Sequence, residues 1–175
     1  MVVVAVSVST DVVGLPMMLP IVIWPDSRLR KVSAAVDIML YDNLEILASN
    51  MVETMKVIGG IGLSAIQVGI PIRMFVMDCY PNTNARPHVV INPRIIKTVG
   101  DTILMEEGCL SVPGARDLIP RYQEIVAEAV DLQTGAEYVT IYKGLEAQCF
   151  QHELEHLNGE IFLQHLNKTL KTDGV

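Results

Sequence analysis

His152, Glu153 and His156 form an H-E-x-x-H run. On an α-helix, residues four apart lie about one turn apart on one face, so both imidazoles can converge on a single ion while the glutamate faces the water it holds. The chemistry this spacing points to is metal-assisted hydrolysis, with Glu153 as the proton-accepting group. The competing explanation is that these side chains merely solvate a polar helix face. The whole chain has only four histidines, so finding two of them at this spacing favours the site.

Two imidazoles do not complete a tetrahedral site, and the third protein ligand decides the class of enzyme. A third histidine six residues after His156 would suit one class of metallopeptidase, but Phe162 stands there. A glutamate one helix further on would suit another, yet only nineteen residues follow His156, and Glu160 is too close. His88 and His165 remain available. The stronger candidate is upstream, in Glu106-Glu107-Gly108-Cys109-Leu110-Ser111-Val112-Pro113, where Cys109 offers a soft thiolate donor.

Three segments then occur in order: Gly60-Ile61-Gly62-Leu63-Ser64-Ala65-Ile66-Gln67, Glu107-Gly108-Cys109-Leu110-Ser111, and Gln151-His152-Glu153 followed by His156. Together they resemble the three motifs of the peptide deformylase family. The similarity runs from about Trp24-Pro25-Asp26 and Leu29-Arg30 to about Leu163. Any one motif alone would be weak; the ordered set is specific. The resemblance implies a hydrolase that removes the formyl group from the N-terminal formylmethionine of nascent polypeptides. It implies one divalent metal ion held by Cys109, His152 and His156, with Fe(II) the expected ion in the cell and Zn, Ni or Co able to substitute.

Further roles follow from the resemblance. Glu153 is the general base and later the acid. The Gln67 side-chain amide and the Leu110 backbone N–H are the donors to the oxyanion, where losing one such donor costs about 3 kcal/mol. Gly60, Ile61 and Gly62 offer main chain to an extended peptide, glycine leaving nothing in its way. Glu107, Gly108 and Arg116 also belong to the substrate-binding set. The methionine pocket is expected from Ile61, Met105, Leu145 and Cys149, each of which could equally be ordinary core. Without the resemblance, Gln67 reads as a polar loop residue, and Gly59, Gly60, Gly62 and Gly69 as turn punctuation lacking the ending of a nucleotide loop.

Two positions depart from the commonest family pattern. Ser64 stands where many members have Ala, a small replacement expected to keep the loop shape. Glu155 stands where Asp is usual, and its extra methylene shifts a carboxylate able to orient a ligand or the helix. Two alternatives stay open: a metallopeptidase or amidase of other specificity, and a catalytically silent deformylase-like binding protein.

These residues need elements to position them. Leu145 to Leu157 carry helix-compatible apolar positions between Gly144 and Asn158-Gly159, a left-handed stop. Another helix is predicted over Asp37–Ile58, with Ile38, Tyr41, Leu44, Leu47, Met51, Met55 and Ile58 spaced by three and four. Strands are predicted over Ile72–Asp78, Val89–Lys97, Ile125–Asp131 and Tyr138–Tyr142, with Gln133-Thr134-Gly135 turning a hairpin. Strands grouped between two helices predict an α+β fold, mainly antiparallel sheets packed around the metal-binding helix. No repeat or linker divides the chain, so residues 20–175 read as one catalytic domain after an extension, 1–19, of uncertain structure.

Composition agrees. At 175 residues and 50% hydrophobic the chain can bury a core, and a net charge of −7 argues against direct nucleic-acid binding. With one of three cysteines assigned to metal, Cys79 and Cys149 read as buried thiols of a reducing compartment, without a disulfide framework. The first nineteen residues lack a basic region before their apolar stretch, and Thr10-Asp11 interrupts it, so neither a secretory signal nor a membrane span is expected. The location is then cytoplasmic in a bacterium, or organellar in a eukaryote. Beyond His165 only Lys168 and Lys171 are basic, so ribosome docking through a basic C-terminal helix is not expected.

Overall fold

The computed structural model describes residues 16–83 and 85–164. The expectations for residues 1–15, and for His165, Lys168 and Lys171, lie outside the described residues. Two helices, α1 (Leu44–Val57) and α2 (Leu145–Leu157), accompany five strands: β1 (Gly62–Ser64), β2 (Met74–Met77), β3 (His88–Cys109), β4 (Val112–Val130) and β5 (Glu137–Lys143). The strands form a single antiparallel sheet in sequence order. The α+β expectation holds, with one sheet rather than several.

The helix α2 packs on the sheet and touches all five strands. Phe150 anchors the helix, edge-on to Phe75 at 5.1 Å and beside Tyr142 at 4.9 Å. Gln151 adds a polar clamp: its amide nitrogen donates to the Tyr122 carbonyl at 2.9 Å and its oxygen accepts from the Tyr122 N–H at 3.1 Å. A side chain thus completes backbone pairing that β4 would otherwise leave open there. The helix begins where Gly144 turns with φ +53°, and it ends at Asn158 followed by Gly159 at φ +78°. That stop is the one the sequence predicts.

The first helix is shorter than predicted. Asn43 sits in the left-handed region at φ +64°, and the Asp37 carboxylate accepts from the Met39 N–H at 3.0 Å, so residues 37–43 form turns. Ile38 and Tyr41 still pack against the cluster that Leu44, Leu47, Met51 and Met55 build, which explains their helix-like spacing without a helix. β3 and β4 exceed their predicted spans and pair as a long hairpin joined by a two-residue turn at Leu110-Ser111, with Cys109 opposite Val112. The next pair, Gly108 with Arg116, skips Pro113, Gly114 and Ala115, and this bulge bends the strand beside Cys109. β1 was unforeseen as a strand. The turn at Gln133-Thr134-Gly135 is present, closed by Asp131, whose carboxylate accepts from the Thr134 N–H at 2.8 Å.

Candidate active site

The sulfur of Cys109 and one nitrogen each from His152 and His156 lie within 4.8 Å of one another. Cys109 ends β3 beside the bulge, whereas the histidines lie one turn apart on α2. His156 Nε2 is 3.2 Å from Cys109 Sγ and 3.2 Å from His152 Nε2. A tetrahedral ion with ordinary metal–nitrogen and metal–sulfur bonds would hold such donors roughly 3.3–3.6 Å apart, so the set needs little adjustment to take one. The donor chemistry agrees. His152 Nδ1 is 2.9 Å from the Glu107 carboxylate, a contact that puts the proton on Nδ1 and leaves the Nε2 lone pair facing the cluster. His88 lies elsewhere, 3.9 Å from Glu146, and takes no part.

Behind the cluster runs a buried charge network. Arg121, 3% exposed, donates from Nε to Glu107 Oε1 at 2.7 Å and from Nη2 to Glu107 Oε2 at 2.9 Å. The same guanidinium bonds Glu155 through Nη1, and through Nη2 at 2.9 Å. Burial alone would raise the Glu107 pKa, but its bonds to Arg121 and His152 outweigh burial and hold it at about 2. Burial likewise lowers Arg121, and the two carboxylates more than reverse it. Glu155, the departure from the family pattern, therefore reaches the metal-binding set through Arg121 and Glu107. Arg121 itself was missed at the sequence level. The signal was its place on β4: Ile119, Ile125, Ala127 and Ala129 are buried at odd positions, and a cation sharing that parity must be paired.

Glu153 is 3% exposed and lines the cleft in front of the cluster. Burial raises its pKa, against the opposing pull of His152 and of a hydrogen bond from Ser64. Ser64 Oγ lies 2.7 Å from Glu153 Oε2 and 2.9 Å from the Glu153 carbonyl oxygen. An ideal Cβ at Gly62 would stand 2.4 Å from Glu153 Oε1 and 2.7 Å from Cys149 Sγ, so glycine here makes room for the carboxylate. Gln67 starts from the same turn. The Ser64 N–H donates to its side-chain oxygen at 2.8 Å, which directs the amide nitrogen toward Ser111 Oγ at 3.2 Å and Cys109 Sγ at 3.6 Å.

The cleft has a volume of about 760 Å³, within the range of small-ligand sites. Gly60, Ile61, Gly62, Gln67, Glu107, Gly108, Leu110, Arg116, Leu145 and Cys149 line it, as do Cys109, His152 and Glu153. Met105 is absent from that lining. It is half-buried on β3 opposite Ile119, further from the hairpin turn than the β3 residues at the cleft. Gln148 and Ile58 contribute walls not foreseen from sequence. Cys79 and Cys149 are buried free thiols.

The family model described as polypeptide deformylase matches residues 18–172. The chain belongs to the polypeptide deformylase family. A curated peptide deformylase of Rhizobium meliloti is 41% identical over 157 residues, covering 89% of this chain and 88% of the relative. The crystal structure of the Thermotoga maritima peptide deformylase superposes with a TM-score of 0.77 at 36% identity, covering 84% of this chain and 96% of that one. A class I type b peptide deformylase of Acinetobacter baumannii, crystallised with Met-Ala-Ser bound, gives 0.78 at 31% identity, covering 86% and 99%. The activity is that of the deformylase family: metal-dependent hydrolysis that frees nascent polypeptides of their N-terminal formyl group. Among the described residues, no helix is long and apolar enough to cross a membrane.

Proposed function

We propose that Cys109, His152 and His156 hold the ion, that Glu153 is the general base and acid, and that Gln67 and Leu110 stabilise the oxyanion. The observation that carries this reading is the convergence of one sulfur and two imidazole nitrogens beside a buried carboxylate in the cleft. An ion bound there supplies Lewis-acid activation of water at neutral pH. Glu153 accepts the attacking water's proton and returns one to the departing amine. As the formyl oxygen gains charge, the Gln67 amide nitrogen and the Leu110 N–H donate to it, the former already aimed by Ser64. Glu107 holds the His152 ring, and Arg121 holds Glu107.

The substrate is an N-formylmethionyl peptide. Its methionine side chain enters between Ile61, Leu145 and Cys149, and its backbone runs along Gly60, Ile61 and Gly62 with Gly108 and Arg116 opposite. The Met-Ala-Ser of the Acinetobacter baumannii structure is the product such a substrate would leave. Fe(II) is the ion proposed for the cell, with Zn, Ni or Co as substitutes, since a mixed sulfur and nitrogen set accepts all four. A reducing compartment, bacterial cytoplasm or organelle interior, keeps the thiolate of Cys109 available. Residues 20–175 act as the catalytic domain. Formyl-Met-Ala-Ser hydrolysis by the iron, zinc and nickel forms tests the reading. Formate release that disappears in Glu153→Ala with metal retained supports it, and activity persisting in that variant overturns the base assignment.

A further inference from the structure

The hydroxyl of Ser64 sits 2.7 Å from one carboxylate oxygen of Glu153, and both residues are buried, Ser64 fully and Glu153 to 3% exposure. We infer that Ser64 is a positioning residue for the reaction: its O–H fixes the Glu153 carboxylate in the orientation that faces the cleft. The inference rests on Glu153 being the general base.

The geometry confines that carboxylate from two sides. Oε1 lies against Gly62, where even a methyl group would be 2.4 Å away, and Oε2 meets the Ser64 hydroxyl. A serine hydroxyl has one proton to give. Its second neighbour, the Glu153 main-chain carbonyl at 2.9 Å, lies within the hydrogen-bond ladder of α2, so the nearer and more electron-rich carboxylate has the greater need of the donor. Among the described residues, Ser64 supplies the side-chain hydrogen bond given to Glu153. Without it, an oxygen of a buried carboxylate would have no protein donor, and the side chain could turn about its last torsion, a soft one.

Ser64 is not among the residues lining the cleft, so it acts on the reaction through the neighbours it holds. The same residue also holds Gln67, through its backbone N–H to the Gln67 side chain and through its hydroxyl, which caps the Gln67 backbone N–H. Replacing Ser64 by alanine keeps the backbone donor to the Gln67 side chain but removes both hydroxyl contacts, so substrate affinity is read beside kcat to separate a disturbed Gln67 turn from a released Glu153.

The test is Ser64→Ala in the full chain loaded with nickel, measured beside wild type and Glu153→Ala. The expected result is a kcat for formyl-Met-Ala-Ser lower by about tenfold, with KM, Met-Ala-Ser affinity by calorimetry and bound metal by elemental analysis each within about twofold of wild type. A kcat within about twofold of wild type overturns the inference. So does a loss of kcat accompanied by lost metal or weakened Met-Ala-Ser binding, because the serine would then be shaping the site rather than holding the base. Glu153→Ala separates the two levels: if it is inactive while Ser64→Ala is normal, only the role of Ser64 falls, and if it is active the base assignment falls with it.

Discussion

Gly62→Ala is a one-carbon probe of where Glu153, the proposed proton acceptor, stands. The added Cβ would lie 2.4 Å from Glu153 Oε1, 2.9 Å from Glu153 Cδ and 2.7 Å from Cys149 Sγ. Carbon and oxygen not hydrogen-bonded to each other approach to roughly 3.4 Å, so the carboxylate must retreat by about 1 Å or the β1 backbone must lift. Gly62 has no left-handed φ to defend, which leaves sterics as the cause of any effect. Retreat is obstructed, because Ser64 holds the other oxygen and the side chain is buried. A misplacement of about 1 Å can cost on the order of a hundredfold in rate, and overpacking a core costs about 1–3 kcal/mol of stability. The expected outcome is kcat on formyl-Met-Ala-Ser down by about a hundredfold in a folded protein melting several degrees lower, read by formate release and calorimetry. Gly60→Ala, whose Cβ meets Leu110 Cδ1 at 2.7 Å in the peptide's path, should act through substrate binding and raise KM, a different signature. A near-normal kcat for Gly62→Ala would refute the placement of Glu153.

Other outcomes follow from the same contacts. Arg121→Met leaves the carboxylates of Glu107 and Glu155 without their shared cation and should destabilise the fold by about 3–5 kcal/mol in urea titrations; a loss under about 1 kcal/mol would show the network to be dispensable. Chelation of the metal should expose the Cys109 thiol, half-buried in the cleft, to a thiol reagent while Cys79 and Cys149 stay slow; fast reaction of Cys109 in the loaded protein would argue against it as a ligand. Asp26, held by Arg28 at 2.8 Å, has a pKa lowered from 3.8 to about 2. Because the folded value is the lower one, its contribution to stability is present above pH 3.8 and is lost as pH falls through about 2, so its carboxyl carbon should titrate near 2 by NMR and not near 3.8.

Local signals carried the parts of the fold that are built locally. α2 has a stop at Asn158-Gly159 and an apolar set that includes Phe150, and its ends fell where the sequence placed them. The β4–β5 turn was legible because Asp131 and Gly135 encode it within a few residues. The hairpin of β3 and β4 was not. The predicted strand stops at Lys97, and residues 98–104 are exposed, so no alternation marks a strand; pairing with β4 across a bulge extends it regardless. The start of α1 failed for the opposite reason. Ile38 and Tyr41 keep helical spacing because they share a core with the helix, and periodicity reports burial, not backbone angles. In the site, the motif residues come together at the cleft, while Met105 lies outside its lining and Arg121 carried no motif, since both depend on which strand positions face the cleft and how far along the hairpin they lie.

Arg121 explains how two distant segments keep a three-donor site in register. Cys109 arrives on a strand whose hairpin is largely solvent-exposed, while His152 and His156 arrive on a buried helix. Glu107, two residues before the sulfur, and Glu155, one before the second imidazole, both bond the same guanidinium. A planar fork with donors on two edges can hold two carboxylates in fixed relation, which a lysine ammonium cannot do. The arrangement also sets the local charge: Glu107 and Glu155 share one guanidinium, so the two carboxylates outnumber the cation that pairs them. A divalent cation at the sulfur and imidazoles offsets that excess, so binding the ion and closing the strand onto the helix favour one another.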